Sequence, residues 1–145
     1  MSNASPLLTL LIVDDEVPAR LRLRELLADL AGDLPNQVLA EAADGLAALA
    51  ALSQRRVDVA LVDIRMPTMD GIEFARHSSQ LVDPPAIIFV TAFDAYAIQA
   101  FELNAIDYLL KPVRAARLLA ALHKVVGRRP PAPDVLASLS LGARR

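Results

Sequence analysis

The sequence predicts a doubly wound α/β domain, in which five parallel strands form one sheet with helices on both faces. Short apolar runs with strand character alternate five times with helical patterns along the 145 residues, and this alternation is typical of parallel sheets. The two middle runs are almost continuously apolar, as expected of strands covered on both faces. Four of the runs end in polar residues. Because parallel strands align their carboxyl ends, these residues are expected to meet in one crevice.

Five segments have the composition of strands, with aliphatic and β-branched residues bounded by turn formers. They are residues 8–13, 37–42, 57–63, 86–91 and 107–110. The polar residues at the ends of four of these segments are Asp14, Asp15, Asp63, Thr91 and Lys111. They include acids, a hydroxyl and an amine, so the predicted crevice is lined by charged and hydrogen-bonding side chains.

Helical patterns occupy the intervals between the strands. The first helix is expected to begin near Pro18, because proline suits the first turn of a helix. Its buried stripe is predicted to consist of Leu21, Leu23, Leu26, Leu27 and Leu30. The other helices are predicted over residues 47–52, 70–81, 95–103 and 113–126. In the third helix, the residues expected to face the core are Ile72, Phe74 and Ala75.

The composition limits the classes of function. The chain has 54% hydrophobic residues, enough for one core, and a formal net charge of -2, which gives no electrostatic footprint for nucleic acid. It contains no cysteine, which excludes disulfides and thiolate chemistry and suits the reducing cytoplasm where we expect the protein to reside. No apolar stretch is long enough to cross a bilayer, so no association with a membrane is expected.

The ends of the chain differ in composition from its middle. Residues 7–127 are predicted to form one domain. The segment Ser-Asn-Ala at residues 2–4 looks like the remnant of a cleaved tag, so residues 1–6 are interpreted as an N-terminal extension. Arginine and proline become frequent from residue 128, and residues 128–145 are predicted to form a stiff linker and a tail.

Three carboxylates, those of Asp14, Asp15 and Asp63, are expected to lie close together. Their mutual repulsion would raise their pKa values unless a cation lay among them. Oxygen donors without histidine or cysteine favour a hard ion, and Mg²⁺ is the usual one beside a phosphate. Lys111 could pair with Asp63 or with a phosphoryl oxygen, and Thr91 adds a hydroxyl donor. Together these groups are what phosphoryl transfer to a carboxylate requires.

Each of these residues, taken alone, also permits a structural interpretation. An Asp-Asp-Glu segment after a strand is commonly a turn that caps the next helix, and a single threonine at a strand end is commonly a structural hydroxyl. Their joint occurrence at the ends of the first, third, fourth and fifth predicted strands favours the functional interpretation.

The order of these motifs resembles the receiver domain of bacterial two-component response regulators over about residues 7–126. The matching pieces are Leu-Ile-Val-Asp-Asp-Glu, Val-Asp-Ile-Arg-Met-Pro-Thr-Met-Asp-Gly, Val-Thr-Ala and Tyr-Leu-Leu-Lys-Pro. The resemblance implies a flavodoxin-like (βα)5 fold with strand order 2-1-3-4-5. It also implies a phosphorylation-activated signalling function in which a sensor histidine kinase is the partner.

The resemblance assigns roles to the acidic residues. Asp63 is implied to be the phosphoacceptor. Asp15 and Asp63 are implied to bind Mg²⁺ directly, together with the backbone carbonyl of Arg65, while Asp14 acts on the ion through water. The expected cofactor is therefore Mg²⁺.

The resemblance also assigns roles outside the acidic cluster. Thr91 and Lys111 are implied to contact the phosphoryl oxygens, and Tyr108 is implied to move inward when Thr91 does. Gly71 follows the acceptor loop, and a cis bond is expected between Lys111 and the next residue. The residues implied to be structural are Pro67, Gly71 and Pro112.

Residues 89–113 are also similar to receivers of the LytTR (LytR/AlgR) group, whose output domain binds DNA. Nothing after residue 127 could encode such a domain, so the chain is expected to be part of a longer regulator of transcription that contacts DNA only through the absent domain. The fourth helix, fifth strand and fifth helix are predicted to form a homodimer face, favoured by phosphorylation. Its residues are Tyr96, Ile98, Phe101, Arg114 and Arg117. The alternative is that Ile98 or Phe101, or both, belong to the core.

Two other functions remain open from the sequence. A Mg²⁺-dependent phosphohydrolase working through an aspartyl phosphate typically needs a second acid two residues after the nucleophile, and here Arg65 stands at that position. A module that binds partners without phosphorylation would not need the intact acceptor site. Because the second acid of the phosphohydrolase is missing, the chain is not expected to be an enzyme beyond its own aspartyl phosphorylation and dephosphorylation. Arg65 and Phe93 are expected to border the mouth of the site and to slow that dephosphorylation.

Overall fold

The computed structural model describes residues 7–128, which form a parallel five-stranded sheet flanked by five helices. The strands are β1 (Leu8–Val13), β2 (Asn36–Ala42), β3 (Val59–Val62), β4 (Ala86–Thr91) and β5 (Asp107–Leu110). The helices are α1 (Val17–Leu30), α2 (Gly45–Gln54), α3 (Gly71–Ser78), α4 (Ala97–Glu102) and α5 (Ala115–Gly127). The strand order is β2-β1-β3-β4-β5, and all neighbours are parallel. The predicted doubly wound fold with order 2-1-3-4-5 is confirmed.

Alternating residues of the strands pack into two apolar layers, one on each face of the sheet. Leu10 and Ile12 of β1 face α1 and α5. Leu11 and Val13 face the side that contains α2, α3 and α4, where Phe74 is fully buried. Because side chains of a strand point alternately to opposite faces, the continuous apolar runs fill both layers.

The first helix presents four of its five predicted core leucines to the sheet. The four buried ones are Leu23, Leu26, Leu27 and Leu30. Leu21, which was also predicted to be buried, is 55% exposed. Two residues along a helix correspond to a rotation of about 200°, so Leu21 lies on the side of α1 opposite Leu23. The prediction for Leu21 is wrong because it counted every leucine of the segment as buried, whereas the helical period places only four of the five on one side.

Several predicted boundaries shift for local reasons. The third helix is predicted to reach residue 81, but the α-helix ends at Ser78. Beyond it, the N–H groups of Gln80 and Leu81 donate hydrogen bonds to carbonyls three residues back, which is the spacing of a 3₁₀ turn. At the end of α4, Asn104 has φ 62° and Ala105 N–H donates to the Ala100 carbonyl at 3.1 Å. These contacts form a Schellman motif, with asparagine in the left-handed position that ends the helix.

Aspartate side chains stabilise the starts of α2 and α3. Asp44 accepts a hydrogen bond from Ala47 N–H at 2.8 Å at the start of α2, and Asp70 accepts one from Glu73 N–H at 2.8 Å at the start of α3. Pro18 lies in the first turn of α1. Within residues 7–128, the helices lack the combination of length and apolar character that crossing a membrane would require.

The predicted extension over residues 1–6 and the predicted linker and tail beyond residue 128 lie outside the described residues. These interpretations therefore stay predictions.

Gly71 packs directly against the end of β3. Its N–H donates to the Ile64 carbonyl at 2.8 Å. A Cβ added at Gly71 would lie 2.1 Å from the carbonyl oxygen of Asp63 and 2.9 Å from Cγ1 of Val62. The absence of a side chain thus allows α3 to begin immediately beside Asp63.

We expect Gly71→Ala to lower the free energy of unfolding by about 1–3 kcal/mol, the usual range for an overpacked site, because the methyl group would displace backbone at the strand end. Urea denaturation measures the loss. Gly32→Ala is the matched control, since a Cβ there meets nothing within 4 Å. Equal midpoints for the two variants would show that α3 does not need this close approach.

Candidate functional site

Three acidic side chains meet at the carboxyl ends of β1 and β3. Val13 pairs with Val62 in the sheet, so the residues that follow them, Asp14 and Asp63, emerge side by side. Asp63 N–H also donates to the Val13 carbonyl at 2.9 Å. Asp14 and Asp63 are buried and Asp15 is exposed, and one carboxylate oxygen from each of the three lies within 4.8 Å of the others. The predicted convergence of these acids is present in the structure.

The ammonium group of Lys111 bridges two of the acids. Its Nζ lies 2.8 Å from Oδ2 of Asp14 and 3.2 Å from Oδ2 of Asp63. The sequence suggested pairing with Asp63, and the structure adds Asp14 as the nearer partner. Lys111 N–H donates to the Thr91 carbonyl at 2.8 Å, and the bond from Lys111 to Pro112 is cis. The hydrogen bond to the last residue of β4 thus holds the backbone of Lys111, directly after β5, beside the acidic cluster.

Burial and charge act against each other in this cluster. Burial raises the pKa of the Asp14 carboxyl above its usual range, although the hydrogen bond from Lys111 opposes the shift. For Lys111, burial alone would lower the pKa, but the hydrogen bond to Asp14 and the charge of Asp63 raise it. Lys111 is therefore held in its charged form, yet one ammonium cannot balance three carboxylates. A further cation would relieve the remaining repulsion.

The donor set fits a hard divalent cation. All three side chains of the cluster offer carboxylate oxygens, and their spacing allows one ion to contact a ligand atom from each. The exposure of Asp15 leaves one side open to water and to a phosphate. Mg²⁺ binds in this way, through a few carboxylates while retaining water. Receiver-type Mg²⁺ chemistry is therefore compatible with the residues present.

The loop after Asp63 is tightly folded. Oδ1 of Asp63 accepts a hydrogen bond from Ile64 N–H at 2.7 Å, which holds one oxygen of the carboxylate. Pro67 begins a three-residue turn, in which its carbonyl accepts from Met69 N–H at 2.7 Å and Thr68 has φ 69°. This is the geometry of a γ-turn with positive φ, a strained conformation for a β-branched residue. The loop is therefore compact enough to return the chain to α3 directly beside Asp63.

The hydroxyl groups of Thr91 and Tyr108 contact the same peptide segment. Thr91 is buried, and its Oγ1 accepts from Phe93 N–H at 3.4 Å. The hydroxyl of Tyr108 donates to the Phe93 carbonyl, and its ring centroid lies 6.2 Å from that of Phe89. Burial raises the pKa of the Tyr108 phenol. The backbone of Phe93 thus connects the end of β4 with the aromatic side chain of β5.

Arg65 and Phe93, predicted to border the mouth of the site, contact each other. The guanidinium carbon of Arg65 lies 4.6 Å from the centroid of the Phe93 ring, within the range of a cation–π interaction. Phe93 is 39% exposed and Arg65 is exposed. The pair therefore joins the loop after β3 to the loop after β4 at the surface.

The predicted dimer face combines exposed apolar and charged residues. Ile98 is 74% exposed and Phe101 is 81% exposed, so the alternative that one of them belongs to the core is wrong. The reason is that α4 has six residues and buries itself through Ala100. Arg117 donates to both carboxylate oxygens of Asp107, at 2.8 and 2.7 Å, so its charge is already paired within the chain.

The remaining two residues of that face lie at its edges. Arg114 is exposed at the residue before α5, and Tyr96 is partly exposed at the residue before α4.

Sequence reasoning missed two residues beside the acidic cluster. Arg20 of α1 donates to the backbone carbonyl of Asp14 at 2.6 Å and to Glu41 of β2 at 2.9 Å. A signal was present in the sequence, because a glutamate inside a predicted strand needs a partner for its charge. The identity of that partner depends on how α1 is rotated against β2.

Comparison with known proteins finds the same fold in a family of known proteins. The family model for the response regulator receiver domain matches residues 10–123. An uncharacterized response regulatory protein of Vibrio cholerae is 46% identical over 117 residues, which make up 81% of this chain and 44% of that protein. The positive alginate biosynthesis regulatory protein of Pseudomonas aeruginosa is 43% identical over 118 residues, which make up 81% of this chain and 46% of that protein. The transcriptional regulatory protein BtsR of Salmonella typhi is 43% identical over 122 residues, which make up 82% of this chain and 48% of that protein.

The chain thus spans about half the length of these curated relatives. Among solved structures, the response regulatory domain of mrkE from Klebsiella pneumoniae has a TM-score of 0.75 and 34% identity, covering 83% of this chain and 96% of that one. The REC domain of AraT from Geobacillus stearothermophilus has a TM-score of 0.73 and 35% identity, covering 84% of this chain and 95% of that one. The chain belongs to the response regulator receiver domain family.

Proposed function

We propose that this chain is the receiver of a two-component system and accepts a phosphoryl group on Asp63 from a histidine kinase. The observation that carries the proposal is the cluster of Asp14, Asp15 and Asp63 with the Lys111 ammonium between two of its members. Membership of the receiver family supports the same assignment. The cluster combines a carboxylate nucleophile with positive charge beside it, which is the arrangement that phosphoryl transfer needs.

In the proposed reaction, a carboxylate oxygen of Asp63 attacks the phosphorus of the kinase phosphohistidine. The oxygen–phosphorus bond forms while the bond from phosphorus to the imidazole nitrogen breaks, and the electron pair leaves with the nitrogen. Ile64 N–H holds Oδ1 of Asp63, and Oδ2 faces Lys111. The ammonium can therefore donate to the oxygens of the incoming phosphoryl group as negative charge collects there.

The acidic residues are proposed to hold Mg²⁺. Asp15, Asp63 and the backbone carbonyl of Arg65 would bind the ion directly, and Asp14 would act through water. When bound, the ion offsets the repulsion between the carboxylates and the phosphoryl oxygens. Asp14 remains hydrogen-bonded to Lys111, so one side chain connects the proposed metal site to the ammonium.

Phosphorylation is proposed to act through Thr91 and Tyr108. A phosphoryl group adds a charge of about -1.5 to -2 and three strong acceptors. The Thr91 hydroxyl, which now accepts from Phe93 N–H, would turn to donate to a phosphoryl oxygen, and Tyr108 would follow it inward. The Phe93 backbone contacts both hydroxyls, so a change at Asp63 would reach α4 and β5 through one short segment.

The output is proposed to be control of transcription through a homodimer and a following DNA-binding domain of the LytTR type. The similarity to an alginate regulator and to BtsR supports this class of output. The chain covers about half of those proteins, which is consistent with a further domain in the whole regulator. The exposed side chains of Ile98 and Phe101 support a dimer through α4, β5 and α5.

Incubation with acetyl phosphate and Mg²⁺ is expected to add one phosphoryl group to the wild type and none to Asp63→Asn, because an amide is not a nucleophile for this reaction. Intact mass measurement detects the adduct. Asp29→Asn, which removes an exposed acid of α1, is the matched control and should be labelled like the wild type. An unlabelled wild type would contradict the proposal and favour a module that acts without phosphorylation.

Phe93→Ala is expected to shorten the lifetime of the aspartyl phosphate about two- to fivefold, which corresponds to the free energy of a surface cation–π contact. The reason is that removal of the Phe93 ring frees Arg65 and opens the mouth of the site to water. The decay of the phosphorylated mass after removal of acetyl phosphate measures the lifetime. Phe93→Leu retains bulk without the aromatic face and should give an intermediate value. An unchanged lifetime in Phe93→Ala would rule out the role of the ring.

Sedimentation is expected to show a shift from monomer towards dimer when beryllofluoride and Mg²⁺ imitate the phosphoryl group. Phe101→Glu should remain monomeric, since it places a charge at the most exposed aromatic ring of the proposed face. Leu21→Glu changes an exposed leucine of α1 and should dimerise like the wild type. A wild type that stays monomeric at high concentration with and without beryllofluoride would exclude the dimer.

A further inference from the structure

The guanidinium of Arg20 spans two groups beside the acidic cluster. Its Nη1 donates to the backbone carbonyl of Asp14 at 2.6 Å, and its Nε donates to Oε1 of Glu41 at 2.9 Å. The other oxygen of Glu41 accepts from Arg24, one turn further along α1. Glu41 therefore holds two arginines at once, and one of them reaches the backbone of the cluster.

The contact with Arg20 completes the set of hydrogen bonds around Asp14. Its N–H donates to the Ala42 carbonyl at 3.0 Å. Its carboxylate accepts from Glu16 N–H at 2.9 Å and from Lys111 at 2.8 Å. Arg20 occupies the carbonyl oxygen, so both backbone groups and both carboxylate oxygens of this buried residue are engaged.

The Asp14 carbonyl belongs to the peptide group that leads into Asp15. A peptide group is planar, so holding its oxygen also fixes the direction in which the nitrogen and Cα of Asp15 leave. Asp15 is the exposed member of the cluster, so its carboxylate is not held by burial. Its orientation is therefore expected to depend on the backbone that precedes it.

We infer that Arg20 is a positioning residue for the Mg²⁺ site, because it holds the Asp14 carbonyl and thereby orients the carboxylate of Asp15. Glu41 supports this role by pairing with the guanidinium and keeping it directed at the carbonyl. The inference rests on the proposed function, since it concerns the same metal site.

Orientation and charge predict opposite effects for the loss of Arg20. A positive charge near a cation site repels Mg²⁺, so removal of the charge alone would tighten binding. Removal of the anchor would weaken binding, because the carboxylates would no longer be held in place. Lysine cannot replace the anchor, since a single ammonium lacks the planar fork that reaches both the carbonyl and Glu41.

Titration of the chain with magnesium chloride by calorimetry separates the two effects. We expect Arg20→Met to bind Mg²⁺ about tenfold more weakly than the wild type, the lower end of the range for groups that orient metal ligands. Arg24→Met is the matched control, because it removes the same charge and a contact to the same glutamate without touching Asp14. It should bind Mg²⁺ as well as the wild type or slightly better.

A second readout follows the backbone itself. The amide nitrogen resonance of Asp15 responds to the hydrogen bond at the preceding carbonyl, and without Mg²⁺ it should move in Arg20→Met and stay in place in Arg24→Met. Arg20→Lys retains the charge and should also bind Mg²⁺ more weakly. If Arg20→Met fails to fold, the comparison of Arg20→Lys with Arg24→Met decides the question.

The outcomes distinguish this inference from the proposed function. A wild type that binds no Mg²⁺ would overturn the proposed metal site and this inference with it. A wild type that binds Mg²⁺, together with an Arg20→Met variant that binds it equally or more tightly, would overturn the positioning role and leave the proposed function standing. Weaker binding in both Arg20 variants with an unchanged Arg24→Met would support it.

Discussion

The ammonium of Lys111 lies between the carboxylates of Asp14 and Asp63, at 2.8 and 3.2 Å, and the structure around the site depends on this contact. Two buried acids on adjacent strands repel each other, and burial disfavours their charged forms. One cation offsets part of the repulsion and leaves negative charge in excess. The remaining negative charge can attract a second cation.

The parallel sheet makes this contact possible between residues that are distant in sequence. Asp14 and Asp63 emerge from neighbouring strands because Val13 pairs with Val62, while Lys111 N–H is bonded to the carbonyl of Thr91. Beyond the end of β4, the backbone of Phe93 contacts the hydroxyls of Thr91 and Tyr108. The exposed apolar side chains of α4 have no cover within residues 7–128.

The sequence was sufficient to predict the parallel sheet and the polar residues at its strand ends, while the strand order was implied by the resemblance to receiver domains. Apolar runs and their polar ends locate strands reliably, because a strand covered on both faces must be apolar and the groups that line the crevice of such a sheet follow the carboxyl ends of its strands. The buried faces and the ends of the helices were predicted less well from the sequence. The exposure of Leu21 follows from the helical period, which places it opposite the buried Leu23, so this residue could have been assigned from the sequence. The end of α3 at Ser78 could not, since the geometry of a last turn depends on packing against the sheet. The exposure of Ile98 and Phe101 followed from the brevity of α4, which its flanking sequence did not reveal.

By itself, the sequence determined that Asp14, Asp15, Asp63, Thr91 and Lys111 would share one edge of a parallel sheet, because strand composition and chain order are local properties. The tertiary structure alone decided which of these groups touch. The nearer partner of Lys111 is Asp14, and Arg20 reaches the Asp14 carbonyl. Such contacts depend on strand register, helix rotation and side-chain rotamers, all of which are set by the packing of the whole core and not by any segment read separately.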